Sequence, residues 1–249
     1  LIMKTLYFLI YFLSLNLLSQ NVNFDAKNNV LTFPRIQNLS EDFLTGYPIY
    51  FDDQALEYYN KAIGYHYDNP NLAVEYYLKA IKKDPKFIQA YDNLGQLYRS
   101  LEEYNLAISC YKRSSDICPN CEVAHINLAT LYKIIEDTKS AKKHYQKVIE
   151  IKPNSPEGYY GLGSIYRQEN SLDKAEYHAR KALKIYKSNN SSIIGDGYLL
   201  LGFIQYNKGE YSLAKENILL AKKKYQEHNM GEVFIQKVPS WLLTELSIK

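Results

Sequence analysis

Hydrophobic and polar positions divide the chain into three textures. Behind Lys4 lies an apolar run, Thr5 to Leu18, interrupted only by Ser14 and Asn16, and no acidic residue precedes Asp25. From about Gln20 to Gln54 the pattern is lost among Asn, Asp and Pro, which predicts an extended linker or N-terminal arm. From Ala55 onward apolar residues recur every three to four positions, with few prolines, and this predicts amphipathic helices to the end of the chain. The expected divisions are residues 1–19, 20–54, 55–230 and a C-terminal capping helix over 231–249.

The helical part repeats itself. Tyr91, Leu94, Gly95 and Tyr98 precede Ala107, Tyr111 and Pro119. A shift of 34 residues finds His125, Leu128, Ala129, Tyr132, Ala141, Tyr145 and Pro153. A second shift finds Tyr159, Leu162, Gly163, Tyr166, Ala175, Ala179 and Lys187. The small residues let two helices approach closely, while Leu94 and Tyr98, one turn apart, fill the seam between them. Pro119 and Pro153 end one unit and begin the next. Outer units are less regular. Ala73, Tyr77, Ala80 and Pro85 keep the register, whereas Tyr58, Ala62 and Tyr65 lie one residue out of frame, before a loop expected at Asp68–Asn71. Gly163 and Gly202 are 39 residues apart, and the five added residues are expected within Ser188–Gly197. Tyr198, Leu201, Gly202, Gly209, Tyr211 and Ala214 then resume the pattern, with Pro239 and Trp241 in the capping stretch.

The recurring aromatic, Leu-Gly, Tyr, Ala, aromatic and Pro positions resemble the tetratricopeptide repeat. The resemblance covers about Ala55 to Tyr225. It implies an all-α, right-handed superhelical solenoid of about five helix-turn-helix units, with Leu94, Leu128, Leu162 and Leu201 buried. It also implies a non-catalytic scaffold whose first helices line a concave groove for a protein or peptide partner. On those helices Asn93, Gln96 and Arg99 form a stripe, repeated as Asn127, Thr130 and Lys133, then Gly161, Ser164 and Arg167. Helical geometry turns this stripe away from Leu94 and Tyr98. The alternative reading is a solvated polar face. The recurring cations, helped by Tyr160, favour an acidic extended segment. The clamp of Lys, Asn and Arg across adjacent repeats, used by the family's chaperone-tail binders, is not matched, because Asp92, Gln96, Glu157 and Gly161 stand where it wants Lys, Asn, Lys and Arg, and only Asn127 fits.

Composition narrows the classes. A hydrophobic fraction of 46% is that of a folded chain. The 25 tyrosines, against 9 Phe and 1 Trp, suit many half-buried helix seams. A net charge of only +3 offers no basic face for nucleic acid. The start of the chain reads as a secretory signal peptide: Met3-Lys4 as its beginning, the apolar run, and cleavage after Ser19. The run is shorter than a bilayer needs, so membrane association is expected only if the signal stays uncleaved. No Cys follows it to take a lipid. The expected location is periplasmic or extracellular.

Candidate chemistry is sparse. Gly161-Leu162-Gly163 lacks the third glycine and the preceding strand of a phosphate loop, and no Walker loop, Gly-x-Ser-x-Gly elbow or His-Glu-x-x-His site occurs. His66, His125, His144, His178 and His228 are spread without metal-ligand spacing, so no metal or cofactor is expected. Cys118-Pro119-Asn120-Cys121 allows a disulfide or an inert loop, with Cys110 left free; zinc would need two more ligands and thiol redox chemistry a strand-to-helix context. The alternatives to a scaffold are a sensor or assembly module of a larger envelope system and, behind it, a CxxC redox protein.

Overall fold

A computed structural model describes residues 23–25, 30–32 and 52–248. The expected signal segment and most of the expected arm lie outside the described residues. Within the arm, strands β1 (Asn23–Asp25) and β2 (Val30–Thr32) pair antiparallel. Everything else of regular structure is helical: α1 Asp53–Tyr65, α2 Pro70–Lys83, α3 Ile88–Ser100, α4 Tyr104–Ile117, α5 Glu122–Ile134, α6 Thr138–Ile151, α7 Pro156–Gln168, α8 Leu172–Ser188, α9 Ile194–Asn207, α10 Tyr211–Glu227, α11 Gly231–Lys237 and α12 Ser240–Glu245.

The chain forms two compact units, divided between Leu131 and Tyr132. In the first, α1 packs on α2, α2 on α3 and α3 on α4. In the second, α6 packs on α7, and α7, α8, α9 and α10 follow in the same way, with α11 against α10. Small residues set these seams. A methyl group on Gly95 would stand 2.6 Å from the ring of Tyr111, which is wholly buried. One on Gly202 would stand 2.8 Å from Ile218. Leu94, Leu128, Leu162 and Leu201 are all buried.

The irregularities have local causes. The turn between α1 and α2 runs over residues 66–69, one residue longer than its counterpart at 101–103, so α1 stands out of frame while α2 and α4 remain 34 apart. Pro70 and Asn71, expected in the loop, open α2 because Asn69 caps it, its side chain accepting from the Leu72 amide at 3.2 Å. The later five-residue insertion is mostly helix. Compared with α6, α8 gains three residues and reaches Ser188; the rest lengthen the following loop and the first turn of α9. The capping stretch is two helices, since Pro239 cannot donate to continue α11 and instead precedes the first turn of α12.

One turn recurs with the repeat. Glu102, Glu136, Asn170 and Gly209 all have positive φ, at 64°, 61°, 57° and 80°. Each follows a first helix, and after Glu102, Asn170 and Gly209 the next amide reaches back to close the last turn: Glu103 N donates to Tyr98 O at 2.8 Å, Ser171 N to Tyr166 O at 2.8 Å and Glu210 N to Gln205 O at 2.9 Å.

Candidate functional site

The first-helix stripe is far from uniformly solvated. In the first unit, Gln96 and Asn127 are buried, and Asn93 is tied to the preceding repeat, donating to Tyr59 Oη at 2.7 Å. Thr130 and Arg99 are half-buried. Arg99 lies in the last turn of α3 and forms no ion pair among the described residues.

The second unit gathers Lys133, Tyr160, Ser164 and Arg167. Lys133 Nζ, from the last turn of α5, donates to Ser164 Oγ on α7 at 2.7 Å, and Ser164 is buried. Arg167 ends α7 and lays its guanidinium 5.5 Å from the centre of the Phe203 ring on α9. Burial lowers the Lys133 ammonium pKa, and the neighbouring Arg167 charge lowers it further. Burial likewise lowers the Arg167 pKa. Neither cation is ion-paired among the described residues, and Arg167 Nε is buried without a hydrogen bond. Burial raises the Tyr160 phenol pKa, and the Asp196 charge adds to this. Gly161, between these side chains, is small because the ring of Tyr145 occupies the space a Cβ would need.

Residues that no repeat pattern marks complete the site. A cleft of about 270 Å³ lies between the ends of α7 and α9 and the α11–α12 hinge, lined by Arg167, Phe203, Tyr206, Lys237, Pro239 and Trp241 among others. Tyr206 packs against Trp241, with ring centres 5.8 Å apart, and donates to Glu245 Oε2 at 2.7 Å. Lys237 is engaged, forming an ion pair with Asp196, which also accepts from Tyr225 Oη at 2.7 Å. The one sequence signal for this cleft was the chain's single Trp, standing two residues after Pro239.

Elsewhere, Cys118 and Cys121 form a disulfide across the turn between α4 and α5, with Cα atoms 5.3 Å apart. Cys110 is a buried free thiol, its pKa pushed up to about 12 by burial and then by the Asp92 charge. His125 packs over the same turn, its Nε2 3.2 Å from Pro119 O. Among the described residues no His, Cys, Asp and Glu cluster is arranged to hold a metal ion, and no helix is long and apolar enough to cross a membrane.

A stack of helix-turn-helix pairs joined at small-residue seams, with side chains of successive first helices converging, defines a helical-repeat protein. Two family descriptions, both tetratricopeptide repeat, match residues 86–154 and 144–177 of the chain. No curated protein matches the chain by sequence. Solved structures share the fold at low identity. MamA from Desulfovibrio magneticus RS-1 is 19% identical with a TM-score of 0.60, over 72% of this chain and 98% of its own. YrrB, described as a TPR protein with an unusual peptide-binding site, is 21% identical with a TM-score of 0.52, over 74% of this chain and 92% of its own. The APC/C hetero-tetramer Cut9-Hcn1 is 18% identical with a TM-score of 0.62, over 77% of this chain and 38% of its own.

Proposed function

We propose that this chain is a non-catalytic scaffold that holds an extended, acidic segment of a partner protein against its first helices. One observation carries the reading: Lys133 and Arg167, on successive first helices, are half-buried, the Arg167 charge acts on the Lys133 ammonium, and neither is ion-paired among the described residues. Two like charges held this way are unfavourable until an anion joins them. A partner carboxylate would take charge-assisted hydrogen bonds from both. The tetratricopeptide-repeat matches at 86–154 and 144–177 support a protein or peptide ligand, as does the peptide-binding site printed for YrrB. Exposed ion pairs contribute only about 0–1 kcal/mol each, so the interaction is of modest affinity and weakens with salt.

The test is capture from source cells. Charge reversal at Arg99, Lys133 and Arg167, all to Glu, should leave helicity unchanged and lose the captured partner. Recovery of the same proteins by the triple variant would place the partner elsewhere. Export completes the reading, motivated by the Lys4-led apolar run that ends at Ser19. N-terminal sequencing of protein from source cells should begin near Gln20, and Met3 retained on cytoplasmic protein would refute it.

A further inference from the structure

The cleft at the C-terminal end of the second unit has two unlike walls. One edge is cationic: Arg167 brings a guanidinium whose Nε is buried and unbonded, and whose face is already spent on Phe203. Lys237 adds little to that edge, because Asp196 neutralises it. The other wall is apolar, made by Phe203, Pro239 and Trp241, and Trp241 is 57% exposed. A bare inorganic anion would satisfy the first edge and leave the second wet. An aromatic side chain alone would do the reverse, leaving the Arg167 charge without a counter-ion.

We propose that this cleft is a specificity subsite of the scaffold, taking an acidic residue adjacent to an aromatic one on an extended peptide. The inference rests on the scaffold reading above. The carboxylate accepts from the free edge of Arg167, and the neighbouring ring lies against Trp241 and Phe203. Trp241 then serves as an exposed aromatic anchor of the kind that concentrates binding energy at interfaces. Charge complementarity selects the acid and the apolar wall selects its neighbour, so the pair is read jointly.

Trp241 is the chain's single tryptophan, and its emission reports the cleft directly. The full chain is titrated with the capped tetrapeptide acetyl-Gly-Glu-Phe-Gly-amide, and with versions carrying Gln for Glu or Ala for Phe. A saturable change in emission is expected for the Glu-Phe peptide, with each altered peptide about tenfold weaker. Arg167→Gln should weaken the Glu-Phe peptide about tenfold and leave the Gln-Phe peptide as it was. Phe203→Leu, which keeps the cation and the apolar volume, should retain acid selectivity while weakening both Phe-containing peptides. An unsaturable response, equal binding of the Glu-Phe and Gln-Phe peptides, or displacement of the Glu-Phe peptide by inorganic phosphate at equal concentration would overturn the subsite. If the subsite fails while Arg99→Glu with Lys133→Glu still abolishes partner capture, the scaffold reading stands without it. If the subsite holds and capture is unaffected, the cleft binds peptides independently of the stripe.

Discussion

Among single residues, burial decides behaviour more than residue type. His66 is 8% exposed, with its Nδ1 2.9 Å from Tyr77 Oη, and burial lowers its pKa to about 4. The unfolded chain binds a proton near pH 6.5 and the folded chain does not until about pH 4, so stability falls as pH drops through that window. Acidification from about pH 7 to about pH 5 should cost about 2 kcal/mol through this group. Denaturant melts of wild type and His66→Gln, which keeps a hydrogen-bonding side chain but does not titrate there, should show a flatter profile for the variant. His178 shifts in the same direction, so the profile should not become level. The cysteines give a second check. Cys110, buried with a raised pKa, should resist alkylation in the native protein. Unfolding without reductant should expose one reactive thiol, and reduction all three cysteines. Three alkylated thiols before reduction, in freshly isolated protein, would exclude the Cys118–Cys121 bond.

Among elements, the period of 34 was legible because close packing repeats its demands: Gly95 meets the ring of Tyr111 and Gly163 the backbone of Ala175 and Ala179, each on the second helix of its own repeat. The left-handed turn was barely legible, because Glu fills it at 102 and 136, and only Asn170 and Gly209 are residue types that favour it. Glu in that conformation is strained relative to Gly. Glu136→Gly should therefore raise stability by about 0.5–1 kcal/mol in chemical denaturation, despite the added freedom of the unfolded chain. A loss of stability would show that the Glu136 side chain makes compensating contacts. The length of α8 was hidden for a different reason. Ser188 and its Asn neighbours read as loop, yet the insertion was absorbed as an extra turn that buries Tyr186.

For the whole molecule, the recurrence of Arg99, Lys133 and Arg167 has two sources that sequence cannot separate. All three stand in the last turn of a first helix, where a cation is favoured by the helix dipole whatever the function. Structure adds that the Arg167 charge acts on the Lys133 ammonium and that neither cation is ion-paired among the described residues, which the dipole alone does not require. The cleft was beyond sequence, since no period links Arg167, Phe203, Lys237 and Trp241; only the packing of α9 and the break at Pro239 brings them together. The central claim is that partners lie on the first helices. Its most direct measurement is photocrosslinking in source cells, with a benzophenone side chain at Thr130 on a first helix and, separately, at Lys147 on a second. The account predicts a discrete protein adduct from position 130 and none from 147. Adducts of equal yield from both positions, or from 147 alone, would contradict it.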